Sequence, residues 1–344
     1  MMKKKKYLSL INVISCIAVV FIHTNGCFWT FSTEGYWKTA NIIECLFYFA
    51  VPCFFMITGA TLMDYREKYT LKTYFQKRVK KTVIPFIFWS IIGIIYGIFV
   101  LKNIDINNLN FKYLYNGVMN STFVGVYWFF PPLFCLYLSI PLFAAVEKSA
   151  RKEVFTYLAT VGFIVNVVIV LARNVWFSGY SWPVSLVAIS GFLIYLVIGY
   201  LLCNIELSRK QRMLIYISAI AGFLIHCKGT YILSIEGGQI INTFKGYENA
   251  PCIMYSVGIF TWLRYNGDKI MENKGIDRIV NFIAPYTFGI YLLQYFIYTS
   301  MEMFFKINVQ SIIYRLGAPF LIIPVCILII WLIRKIPIIK HIVP

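Results

Sequence analysis

"SCIAVVFIHTNG", Ser15 to Gly26, is an apolar run with one titratable side chain, His23, set deep inside it. Around it the apolar character extends over roughly residues 7–28. About 20 such residues suffice for a helix that crosses the hydrocarbon of a bilayer. The chain has three histidines, His23, His226 and His341. An imidazole gains and loses its proton near neutral pH, and polar groups at membrane depth are costly and tend to be functional. His23 is therefore the first candidate for chemistry, and its setting decides the fold class.

The same character continues along the chain. Hydrophobic residues make up 60% of the 344 positions and charged residues 13%. Mean hydropathy is +0.72. Apolar runs near 20 residues recur throughout, the signature of membrane helices. We read an all-α polytopic membrane protein, residues 1–344 forming a single transmembrane domain. The net charge of +18 fits cytoplasmic loops rich in Lys and Arg better than a nucleic-acid surface. The opening "MMKKKKYLSLINV" has a charged start like that of a signal peptide but no small-residue cleavage site, so it reads as a retained first helix. The nine cysteines form no CxxC pair and no Cys/His metal spacing, which leaves them as small packing residues. No phosphate-cradling glycine loop and no GxSxG elbow is present. No metal site and no permanently bound cofactor are expected.

Ten spans fit the apolar runs: 7–28, 41–63, 82–101, 123–146, 154–172, 182–203, 213–228, 250–266, 279–305 and 316–334. Alternate connections then hold 24 of the 32 Lys and Arg, and the others hold eight. That bias places both termini in the cytoplasm. It also gives depth a meaning. His23 lies 16 residues beyond Tyr7, ~24 Å along a helix rising 1.5 Å per residue, and so toward the outer face. Glu44 sits one turn into a span entering from outside, Trp128 near the outer start of the fourth, and Gln294 ~22 Å into the ninth by the same rise. Four polar or amphipathic groups from four helices share one outer layer. Such groups often only bond across helices, yet a carboxylate beside an imidazole can orient it and stabilise its protonated form. His23 and Glu44 are the candidate catalytic pair.

The runs "INVISCIAVVFIHTN", "FAVPCFFMITGATL" and "FQKRVKKTVIPFIFWS", followed by "VYWFFPPLFCLYLSIPL", "GFLIYLVIGYLL" and "PYTFGIYLLQYF", resemble in order and spacing the integral-membrane acyltransferase-3 family. The likeness covers almost the whole chain. It implies a ten-span bundle that transfers acyl groups, often acetyl, from cytoplasmic acyl-CoA (acetyl-CoA) as co-substrate to hydroxyls of surface glycans or lipid-linked sugars. It implies His23 as the catalytic histidine, and a donor role for the basic run Lys77, Arg78, Lys80 and Lys81. Two positions depart from the family pattern. Asn12 stands where the family usually has an arginine, one helix stripe and about 16 Å from His23 by the helix rise. Gln294 stands where the ninth-span motif often has a histidine. The variant is also similar to the membrane part of serine racemases linked to vancomycin resistance.

The stretch "REKYTLKTYFQKRVKKTVIP" carries seven Lys and Arg before Pro85. It suits anchoring to anionic headgroups, and equally the phosphates of CoA, which favour Arg forks and compact cations. Tyr69, Tyr74 and Phe75 read as interfacial anchors. On the other side Tyr127, Trp128 and Trp182 could stack on sugar faces, with Gln294 beside them. Two function classes follow. The first is an O-acetyltransferase of the cell membrane, multi-pass, with acyl-CoA, a glycan or lipid-linked sugar acceptor and membrane lipids as partners, and no nucleic acid. The second is a transporter or export subunit for a polar small molecule or lipid-linked glycan, for which His23, Glu44, Pro52 and Pro131–Pro132 would serve a pathway.

Overall fold

A computed structural model describes residues 5–177 and 184–344. Among them every regular element is helical. The long helices are α1 (Lys6–Thr24), α2 (Gly35–Glu67) and α3 (Leu71–Phe99). A short amphipathic α4 (Phe111–Met119) precedes α5 (Gly125–Phe143) and α6 (Arg151–Trp176). Then come α7 (Leu193–Asn204), α8 (Arg209–Gly237), α9 (Ala250–Ile270), α10 (Lys274–Phe305) and α11 (Ile312–Arg334). Eight of these are long and apolar enough to cross a membrane. The two other expected spans fall on α7, apolar but only 12 residues long, and α9, 21 residues long, neither of which is among the eight. Trp182, the expected start of the sixth span, lies outside the described residues, as do Lys3 and Lys4.

One expected boundary moves. Residues 64–81 read as a cytoplasmic loop, but the chain is helical again from Leu71. Thr70 caps that start, its hydroxyl accepting from the Thr73 N–H at 3.3 Å, as N-terminal threonines do. The basic run therefore sits on the first turns of α3. There Val79–Val83 widens into a π-helix, a distortion found often at functional positions. A second interruption has a clear cause. Pro52 has no N–H for the Tyr48 carbonyl and its ring crowds that turn; regular α-helix gives way between Phe47 and Ala50.

Two buried cores share α1. One joins Ile11, Val13 and Val19 to residues of α2, α5, α6, α7 and α9. The other joins Cys16 and Val20 to α3, α5, α10 and α11. α1 is thus buried on nearly all sides, and it carries His23. Elsewhere α2 and α7 approach closely. A Cβ on Gly59 would stand 1.9 Å from the Leu196 carbonyl oxygen, and one on Gly199 2.1 Å from that of Met56. The two glycines let backbone meet backbone, the small-residue packing favoured between membrane helices.

Gly199→Ala should lower the melting temperature of the detergent-purified protein clearly, because the neighbour is backbone and cannot rotate away. Gly317→Ala, where nothing lies within 4 Å, should leave it unchanged or raised. The charge bias makes a separate prediction. In a background stripped of native cysteines, Asn108→Cys is labelled from outside intact cells and Thr73→Cys only after permeabilisation; labelling of position 73 from outside would reverse the orientation.

Candidate active site

His23 stands in the last turn of α1, where the chain turns at Asn25. Asn25 fixes that turn by donating from Nδ2 to the Ala40 carbonyl of α2 at 2.9 Å. His23 faces a cavity of about 580 Å³ that Glu44, Tyr48, Trp128, Tyr247 and Tyr291 also line. Its Nδ1 is buried without a hydrogen-bond partner. The Gln294 side chain lies beside the imidazole. Gln294 is fully buried, and its Oε1 also lacks a partner. A small rotation lets Gln294 Oε1 accept from Nδ1–H. That tautomer leaves the lone pair on Nε2.

Glu44 does not do what the sequence suggested. It reaches the cavity, but its Oε1 pairs with Lys245 Nζ at 3.2 Å, both side chains buried. No hydrogen bond joins it to His23. The reason is electrostatic: a carboxylate out of water needs a full opposite charge, and neutral imidazole offers none. Lys245 comes from residues 238–249, which fold inward between α8 and α9. The Asn249 side chain holds this segment by donating to the Lys245 carbonyl at 2.9 Å. The ammonium also lies 3.9 Å from the Tyr48 ring centre, 4.6 Å from Phe28 and 5.2 Å from Trp29, favourable cation–π distances. Read as an ordinary outer-loop cation, Lys245 was missed. Its one signal was its place between aromatics in "TFKGY".

Trp128 lines the cavity, and its ring stacks on Tyr247 at 5.2 Å, while Tyr247 stacks on Tyr48 at 4.0 Å. Tyr127, grouped with Trp128 in the sequence, points elsewhere. Its hydroxyl donates to the Leu292 carbonyl at 2.7 Å in the core. The two sit in a 3-10 turn, Gly125–Phe129, where neighbours point about a third of a circle apart.

A second cavity of about 320 Å³ lies against the other half of α1. Asn12, Lys81, Thr82, Tyr137 and Thr287 line it. Asn12 Nδ2 donates to Thr287 Oγ1 at 2.9 Å. Four side chains, Val19, Val51, Phe129 and Tyr291, line both cavities. The two chambers therefore meet at one apolar waist. The basic run divides at this chamber. Lys81 lines it. The Arg78 guanidinium lies 5.5 Å from the Tyr137 ring, with Nε buried and unpartnered. Lys77 folds back over Tyr69 at 4.0 Å, and Lys80 is exposed. Tyr74 is no interfacial anchor: it is fully buried and donates to the Tyr137 carbonyl at 2.9 Å. Among the described residues no three His, Cys, Asp or Glu side chains converge as metal ligands would.

The profile of the acyltransferase domain of the acyltransferase-3 group matches residues 5–334. The chain belongs to the acyltransferase-3 family. A Bacillus subtilis (strain 168) protein, YfiQ, provisionally named a membrane-bound acyltransferase, is 24% identical over 310 residues, covering 84% of this chain and 80% of its own. No solved structure matches the chain. As an acyltransferase-3 protein it is a membrane acyltransferase, and the two adjoining chambers, the first bordered by His23, are where that chemistry is to be sought.

If Gln294 sets the imidazole tautomer, Gln294→Leu should lower turnover while leaving both Michaelis constants nearly in place. Gln294→Glu should retain more activity than Gln294→Leu, because it keeps an acceptor for Nδ1–H. Equal turnover in wild type and Gln294→Leu would remove the residue from the site.

Proposed function

We propose that this protein is an O-acyltransferase of the cell membrane, multi-pass, which moves an acyl group, acetyl by preference, from cytoplasmic acyl-CoA to a hydroxyl of a surface glycan or lipid-linked sugar. The observation that carries this reading is the shared waist: His23 borders one chamber, Asn12 and Lys81 border the other, and four side chains belong to both. The charge bias of the sequence assigns the Lys81 chamber to the cytoplasmic side and the His23 chamber to the outer side.

In this reading Lys81 and Arg78 hold CoA phosphates, a task suited to a compact cation and a guanidinium fork. Lys77 and Lys80 add positive field at the mouth, among anionic membrane lipids. Asn12, a neutral residue with one amide hydrogen committed to Thr287, contacts the neutral pantetheine or acyl amide region rather than a phosphate. The thioester reaches the waist. His23 Nε2 takes the proton of the acceptor hydroxyl, and the oxygen attacks the thioester carbonyl. The carbon–sulfur bond breaks, and the thiolate leaves with the proton that the imidazolium returns. The narrow apolar waist limits access of water to the thioester. Trp128 and Gln294 border the acceptor's place.

The test is transfer of radiolabel from acetyl-CoA by purified, reconstituted protein in the presence of membrane glycolipid extract. His23→Ala should lower transfer ~10²- to 10⁴-fold, the usual cost of losing an acid–base group, with expression and insertion intact. Substrate flux without label transfer would favour a transporter instead. Arg78→Gln with Lys81→Gln should raise the Michaelis constant for acetyl-CoA, more strongly at low salt, since exposed charges are screened beyond ~8 Å at physiological ionic strength. Unchanged donor saturation at two salt concentrations would leave the basic run as a membrane anchor only.

A further inference from the structure

The Glu44–Lys245 pair is more than a charge buried for packing. Glu44 lines the His23 cavity, it is wholly removed from bulk water, and only one of its carboxylate oxygens is used. Oε2 has no hydrogen-bond partner. The Asn25 amide lies near the carboxylate; one Nδ2 hydrogen goes to Ala40, and the other makes no hydrogen bond to Oε2. An unpartnered buried carboxylate oxygen is costly, so a group that can donate to it binds with advantage.

The chemistry of that group follows from the surroundings. Lys245 already neutralises the carboxylate, so the site offers no net charge to attract a cation. The ammonium faces Glu44 and the rings of Tyr48, Phe28 and Trp29, and it is 3% exposed, so it has no free side for an anion. What remains is one acceptor-only oxygen beside the stacked rings of Tyr48, Tyr247 and Trp128. Tyr48 ties the two halves together, because Lys245 and Tyr247 both sit against its ring.

We propose that Glu44, held in place by Lys245, is the acceptor-positioning residue: it accepts a hydrogen bond from a second, non-reacting hydroxyl of a neutral, hydroxyl-rich acceptor, and so selects against charged acceptors. Glu44 makes no proton transfer in this account. Lys245 acts through Glu44 and touches no substrate. The inference rests on the acyl-transfer reading for its acceptor, but it is tested by binding alone.

The experiment uses full-length protein in nanodiscs of neutral phospholipid. Three probes of one ring shape are titrated with ligand-observed NMR: methyl β-glucoside, glucuronate and glucosamine. The neutral glucoside should bind wild type most tightly. Glu44→Gln should weaken it about tenfold, the value of one hydrogen bond to a charged group, in addition to the lower melting temperature that loss of a buried charge pair itself brings. Lys245→Met should weaken it too, and the double variant should be no weaker than Glu44→Gln, since both act through one oxygen. A purely structural pair would move melting temperature without this non-additive loss of affinity. Equal glucoside affinity in wild type and Glu44→Gln overturns the proposal, as does tighter binding of either charged probe or no binding of the glucoside at all. Glu44-dependent binding without any acetyl transfer would instead remove the acyl-transfer reading and leave the subsite standing.

Discussion

A carboxylate cannot stay ionised at membrane depth unless a cation comes to it, and that requirement shapes the outer half of this protein. Removing one partner of a buried pair typically costs ~3–5 kcal/mol, so the pairing is strongly enforced. Glu44 is fixed on α2, and the cation arrives from the connection between α8 and α9. Drawing Lys245 inward brings Tyr247 against Tyr48 and Trp128. A segment that would otherwise lie over the membrane surface thereby becomes a wall of the His23 cavity. A second buried cation, Arg315, holds the same end of the bundle through Asn25, Thr39 and the Tyr36 carbonyl.

The other organising element is α1. Because both buried cores use it, Asn12 and His23 are held at a fixed separation. Asn12 and His23 share one stripe, eleven residues apart, and each borders its own chamber. Val19 lies between them and belongs to both. In the proposed transfer, a polar donor and a polar acceptor would stay on opposite sides while their reacting atoms meet at the four shared side chains. His23 needs no carboxylate there. A buried amide beside an imidazole can hold one tautomer without adding charge, whereas a carboxylate in contact with it would favour the protonated form.

Much of this was legible in the sequence, for a physical reason. A helix rises 1.5 Å per residue, so counting from the charged loops places His23, Glu44, Trp128 and Gln294 at one depth, and three of them do line one cavity with the fourth beside it. What counting cannot give is direction around the axis or the path of a loop. Tyr127 and Trp128 differ by one step and face opposite tasks. Lys245 lay in a polar connection whose re-entry depends on a charge 201 positions away. The basic run is plain in the sequence, but only the continuation of α3 back to Leu71 puts Lys81 at the chamber and Lys80 off it, both side chains being exposed. The family likeness implies a catalytic role for His23, which depth and rarity alone only suggest.

In the proposed reaction an acyl group passes between two chambers that its donor and acceptor enter from opposite faces. Proteoliposomes with donor and acceptor in separate compartments test it most directly. Labelled acetyl-CoA is placed on the side of the Lys81 chamber and glycolipid extract on the side of the His23 chamber, with wild type compared against a bulky waist variant, Val51→Trp. The account predicts free CoA on the donor side, labelled acetyl on the acceptor side, and loss of both with the waist blocked. Labelled product forming only when donor and acceptor share a compartment, or at an undiminished rate in Val51→Trp, would contradict it.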